Sequence, residues 1–164
     1  MQRLILFRHA KAERTSQTGE DFDRPLAQRG REDALLMGRV LAEAGFKPDL
    51  ALVSAARRTI QTWEAAATAF PAARVEIIRN LFLADTATLL EAAEAAEDRA
   101  ETLMLVAHNP GLHDLALQLS RGTADPRLDR GFPTGAAAVF DVAEPGRYTL
   151  ADVLLPGNHG GGAE

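Results

Sequence analysis

The chain holds 164 residues, 46% apolar and 25% charged, with a formal net charge of −5 from 18 basic and 23 acidic side chains. That length suits one domain with a real core, and the acidic balance excludes a broad nucleic-acid surface, which needs dense lysine and arginine. The absence of cysteine excludes disulfides, thiolate metal sites and cysteine nucleophiles.

The first element is the apolar run Leu4-Ile5-Leu6-Phe7, which reads as a strand buried on both faces and ends at Arg8-His9. Residues 11–25 are polar and carry Gly19, Asp21, Asp23 and Pro25, the composition of a loop. Helical spacing of Ala34, Leu35, Gly38, Leu41 and Ala42 predicts a helix over 31–44, stopped by Gly45. Residues 49–53 read as a second buried strand. Ser54 is placed to cap the next helix, which has Arg57 in its first turn and runs to about residue 70, before Pro71.

Residues 75–78 form a short strand, and the Ala/Glu-rich stretch 86–96 a helix. Another apolar strand spans 102–107 and ends at His108-Asn109-Pro110, where Asn109 is suited to cap and Pro110 to open a helix to about residue 119. Residues 121–135 are a Gly/Pro-punctuated loop, and 136–141 and 148–154 are two strands around Glu144-Pro145-Gly146. A single domain over 1–156 is expected, followed by a mobile Gly-rich tail over 157–164.

No apolar run approaches the roughly 20 residues of a membrane span, and Met1-Gln2-Arg3 does not open a secretory signal. A cytoplasmic location is therefore expected, with neither membrane nor nucleic acid as partner.

Strands alternating with helices predict an α/β three-layer sandwich: a mostly parallel central sheet with helices on both faces and an antiparallel final pair. Ligands of such sheets bind beyond the carboxyl ends of the strands. The residues just there are Arg8-His9, Ser54 with Arg57, and His108-Asn109.

This set suits phosphoryl chemistry. Arginine is a permanently charged planar fork that matches phosphate oxygens. A histidine nitrogen without a proton can attack phosphorus, and an acceptor on the other nitrogen would fix that tautomer. A second histidine can donate to an oxygen that gains charge in the transition state.

The segment Phe7-Arg8-His9-Ala10-Lys11-Ala12-Glu13 resembles the Arg-His signature of the histidine phosphatase superfamily, the phosphoglycerate mutase-like proteins. Residues 54–62, Ser-Ala-Ala-Arg-Arg-Thr-Ile-Gln-Thr, resemble its second block, and Val106-Ala107-His108-Asn109-Pro110-Gly111 its third. Asp23-Arg24-Pro25-Leu26, Arg29-Gly30 and Phe132-Pro133-Thr134 are similar to the short SixA-type phosphohistidine phosphatases.

The resemblance implies a phosphoglycerate mutase-like fold and a hydrolase that works through a phosphohistidine on His9. Arg8, Arg57 and His108 would hold the phosphoryl oxygens, with no metal or organic cofactor. Ala10 stands where many members have glycine. Many mutase-like members place a glutamate near residues 81–85; here Ala84 stands in that place with Asp85 beside it, leaving Asp85 as the candidate proton donor. A missing acid favours leaving groups such as imidazole, with its ordinary pKa near ~6.5, over alkoxides.

The expected substrate is thus a phosphorylated protein, such as a phosphohistidine on a histidine phosphotransfer domain. A small phosphorylated metabolite, handled by a phosphomonoesterase or mutase, is the alternative. A non-catalytic phosphate-binding module is a third reading. Arg58 reads as a surface charge, His113 and His159 as non-catalytic, and a metal triad of His9, His108 and His113 lacks a recognised ligand spacing.

Overall fold

The computed structural model describes residues 1–121 and 125–162. The strands are β1 (Arg3–Arg8), β2 (Leu50–Ser54), β3 (Arg74–Ile78), β4 (Thr102–Ala107), β5 (Ala137–Glu144) and β6 (Arg147–Leu154). The helices are α1 (Gln28–Glu43), α2 (Arg57–Ala66), α3 (Thr86–Ala95), α4 (Gly111–Leu119) and the single turn α5 (Pro126–Asp129). Among the described residues the strands form one six-stranded sheet in the order β3-β2-β4-β1-β5-β6. β1, β2, β3 and β4 are mutually parallel, while β5 runs antiparallel to β1 and β6 antiparallel to β5. This is the expected α/β sandwich.

Alternation along the inner strands builds the two cores. Leu4, Leu6, Leu103 and Leu105 face one side and pack with Leu89, Leu112 and Leu115 of α3 and α4. Ile5, Phe7, Met104 and Val106 face the other and pack with Met37, Leu41, Trp63 and Ala66 of α1 and α2. A strand covered by helices on both faces has no polar side to show, which is why these runs are continuously apolar.

The sheet order fixes the site. β4 lies between β1 and β2, with Arg8 opposite Ala107 and Val53 opposite Val106. The next residues along each chain segment, His9, His108 and Ser54, therefore leave the sheet side by side at its carboxyl edge.

Two local expectations are corrected. The tail is anchored at its described end, while residues 157–160 are exposed. Residues Pro156–His159 form a 3-10 turn, Gly161 is buried, and the Gly162 amide donates to both Asp33 carboxylate oxygens at 3.0 and 3.1 Å. Asp33 is itself buried, so this amide satisfies a carboxylate that has little water. Residues 163–164 of the predicted tail and 122–124 of the predicted loop lie outside the described residues. Asn109 does not cap α4. Its amide donates to the Phe132 carbonyl at 2.8 Å, and the Asn109–Pro110 bond is cis.

Candidate phosphoryl-transfer site

His9 is 6% exposed and follows the end of β1. Its Nδ1 lies 2.7 Å from the Ala10 carbonyl. A carbonyl only accepts, so Nδ1 carries the proton and Nε2 keeps its lone pair. Burial above all, with smaller contributions from His108, Arg8 and Arg58, pushes the His9 pKa down to about 3. The ring is therefore neutral across physiological pH. The backbone around it is pinned: the Ala10 amide donates to Thr62 Oγ1 at 3.0 Å, and the Gly135 amide to the His9 carbonyl at 3.0 Å.

His108 follows β4, with its ring centroid 5.3 Å from that of His9. Its Nε2 is 2.7 Å from Ser54 Oγ. Burial, then the Arg58 charge, lowers its pKa to about 3 as well.

Arg8 closes the other side. Its Nη1 donates to the Phe132 carbonyl at 3.0 Å, the acceptor it shares with Asn109. The Phe132-Pro133-Thr134 segment thus serves as the clamp that aims Arg8. Arg8 lies lower in pKa than usual because of burial and then Arg58, and it remains cationic.

Arg57 and Arg58 exchange their expected places. Arg57 is exposed and faces Phe22, Asp23, Gln61 and Glu64 on the outside of α2. Arg58 is 2% exposed, and its charge acts on both His9 and His108. Its Nη1 donates to the Asp21 carbonyl at 2.8 Å and its Nη2 to the Asp21 carboxylate at 3.1 Å. The reason is helical phase. Arg58 shares its face with Thr62 one turn on, and Thr59, Trp63 and Ala66 are also buried, whereas Arg57 shares the outer face with Gln61 and Glu64. The four-residue spacing from Arg58 to Thr62 was the available signal in the sequence.

The expected proton donor is also corrected. Asp85 is the N-cap of α3 and accepts from the Thr88 amide at 2.9 Å, a bond that holds its pKa below the usual carboxylate value. An exposed carboxylate capping a helix is a poor acid at neutral pH. Ala84 packs against the core with Leu89 and Leu112. The residue of this segment that meets the site is Phe82, in edge contact with His108 at 5.5 Å and beneath Arg58 at 5.7 Å. Phe22 meets Phe82 edge-on at 5.0 Å, and Arg79 lies over Phe22 at 4.9 Å. Sequence reasoning missed this aromatic wall.

The Nε atoms of Arg8 and Arg58, Nδ1 of His108 and Oδ1 of Asn109 are buried without a hydrogen-bond partner among the described residues. Two guanidinium donors held around an unprotonated histidine nitrogen suit a tetrahedral dianion. A cleft of about 630 Å³ opens beside Arg8, lined also by Asn109, His113, Arg127, Arg130 and Phe132. His113 belongs to this cleft, its Nε2 2.6 Å from the Leu128 carbonyl. His159 lies in the tail turn. No cluster that could hold a metal ion occurs among the described residues, and no described helix is long and apolar enough to cross a membrane.

A buried neutral histidine set among two guanidinium groups and a second histidine is equipped to receive a phosphoryl group. The model of the histidine phosphatase superfamily, branch 1, matches residues 4–110. The chain belongs to that superfamily and is a phosphatase. A structure named for the phosphohistidine phosphatase SixA from Agrobacterium tumefaciens is 33% identical, with a TM-score of 0.82 over 94% of this chain and 99% of that one. A second, from Nakamurella multipartitia, is 27% identical, with a TM-score of 0.83 over 94% and 96%. An uncharacterized protein of Mycobacterium tuberculosis is 34% identical over 147 residues, 83% of this chain and 91% of its own length.

Proposed function

We propose that the chain removes a phosphoryl group through a covalent phosphohistidine on His9, and that its substrate is phosphohistidine in a protein. The observation that carries this reading is the Nδ1 contact of His9 with the Ala10 carbonyl. It leaves Nε2 unprotonated beside Arg8, Arg58 and His108.

In the first step the Nε2 lone pair forms a bond to phosphorus while the bond to the leaving group breaks. The electron pair goes to the leaving nitrogen, and because the other nitrogen of that ring carries a proton, the group departs as neutral imidazole. Arg8, Arg58 and His108 stabilise the charge on the phosphoryl oxygens. In the second step water attacks the phospho-His9 phosphorus. Inorganic phosphate departs, the surplus proton passes to solvent, and His9 is restored.

The substrate follows from the leaving group. Phe82 is the residue of the 81–85 segment that meets His108, Asp85 caps a helix, and Asp21 is bound to Arg58 with a lowered pKa. An alkoxide would leave without a proton donor, whereas imidazole leaves readily. The SixA-like relatives, named as phosphohistidine phosphatases, support the same choice.

The cleft beside Arg8 favours a second reading, a small phosphorylated metabolite whose remaining groups bind Arg130 or His113. A panel of phosphohistidine protein, acyl phosphate and alkyl phosphate separates the two. The first reading expects fast turnover of phosphohistidine and an acid-labile phosphate on His9, lost in His9→Ala. Equal or better turnover of an alkyl ester would overturn it.

A further inference from the structure

We propose that Ser54 is a positioning residue that fixes the tautomer of His108, so that Nδ1 carries the proton and donates a hydrogen bond to the transferred phosphoryl group. The inference rests on the phosphoryl-transfer reading above and adds a residue to it.

Protons and lone pairs around Ser54 decide the tautomer. Ser54 is fully buried at the end of β2, and its hydroxyl lies 2.7 Å from His108 Nε2. A hydroxyl has one proton and two lone pairs. The Ala56 amide donates to Ser54 Oγ at 3.4 Å, so that oxygen already accepts one bond. Among the described residues no acceptor other than His108 Nε2 meets the hydroxyl proton. If Nε2 carried the ring proton, it would donate to Oγ, and the buried Ser54 proton would have no acceptor. Buried donors without partners are costly. The arrangement in which every bond is made has Ser54 donating to Nε2, which leaves the His108 proton on Nδ1.

That nitrogen is buried and has no partner among the described residues. An N–H there meets an anionic oxygen favourably, whereas a bare lone pair would repel it. The two histidines are thereby opposite in kind although both are neutral. His9 is tied through Nδ1 to a carbonyl, which only accepts, and offers a lone pair. His108 is tied through Nε2 to a hydroxyl that donates, and offers a proton. A backbone carbonyl in place of Ser54 would force the wrong tautomer on His108. Thr59 holds the serine in turn, its Oγ1 donating to the Ser54 carbonyl at 2.8 Å.

The test begins on the parent protein, where nitrogen-15 NMR of the imidazole rings reads the tautomer without catalysis. The expected result is protonated Nδ1 on His108. Ser54→Ala should mix the tautomers, lower kcat for para-nitrophenyl phosphate by about tenfold or more with KM little changed, and weaken vanadate binding more than binding of inorganic phosphate. Ser54→Thr, which keeps the hydroxyl, should restore the tautomer and most of kcat. Protonated Nε2 in the parent, or an unchanged tautomer and kcat in Ser54→Ala, would overturn the proposal. A parent with protonated Nδ1 that turned over no phosphoryl substrate would instead sink the hydrolysis reading while keeping the tautomer.

Discussion

Arg58 is held against the site by Asp21, a residue 37 positions earlier in the chain, through both the backbone carbonyl and the carboxylate of the aspartate. Arg24 binds the same carboxylate at 2.9 Å, which keeps Asp21 in place. The loop after β1 thus sets the direction of an arginine on α2. Arg58→Ala should lower kcat/KM by about 10²–10³, the scale of one lost donor to transition-state charge. Arg57→Ala should stay within a few-fold of the parent. Asp21→Asn keeps the carbonyl contact and should cost less than Arg58→Ala. Steady-state kinetics on the three variants checks the order, and equal losses for the two arginine variants would refute it.

The rate should not follow an ordinary histidine on its acid side. Both His9 and His108 are pushed down to about 3, chiefly by burial. After correction for ionisation of the substrate, kcat/KM should show no loss centred near ~6.5 as pH falls from 8 to 5. An acid limb there would mean that His9 titrates normally and that the site is wetter than its burial indicates.

Stability should show what the rate does not. In the unfolded chain both histidines titrate near ~6.5. Between that value and about 3, the unfolded state binds protons that the folded state refuses. Stability therefore rises with pH in this window and falls on acidification. The loss at pH 5 is on the order of 2 kcal/mol per histidine. Urea denaturation at pH 7 and pH 5 measures it, and His9→Asn should flatten the slope.

Asp85 should behave as a cap. Asp85→Asn keeps an oxygen for the Thr88 amide and should leave both turnover and melting temperature near the parent. Asp85→Ala should lower Tm by about 2–4 °C with kcat retained. Loss of turnover of an alkyl phosphate in Asp85→Asn would restore the carboxylate as a proton donor.

Gly30 shows how closely α1 supports the nucleophile loop. A Cβ at this position would lie 2.0 Å from the carbonyl oxygen of Lys11, which stands just beyond Ala10 in the loop after His9. Gly30→Ala must push α1 away from that loop. A destabilisation of about 2–3 kcal/mol is expected, together with a fall in kcat, because the Ala10 carbonyl that orients His9 belongs to the same segment. Chemical denaturation and single-turnover kinetics would record both effects, and an unchanged protein would show that the loop yields freely.

Local pattern alone establishes the element order, the two-faced apolar strands and the histidines at their ends. Leu4 to Phe7 and Leu103 to Val106 cannot be other than buried, and the residue after a buried strand must emerge at its end. The SixA-like segments were also legible, though not what they do. Phe132 aims Arg8 through its carbonyl, a contact across 124 residues that no local pattern records.

The choice between two adjacent arginines was made by folding. One residue turns a helix by about 100°, so the packing of Thr59, Thr62 and Trp63 against the sheet sends Arg58 inward and Arg57 to solvent. The same holds for Asp85, whose carboxylate reads as an acid in the sequence and is taken by a helix amide in space. Residues 157–164 read as a free tail because glycine gives no pattern, yet the Gly162 amide donates to the buried Asp33 carboxylate. Burial of an apolar face is written along the chain, but the direction of a charge is settled by the partners that folding brings to it.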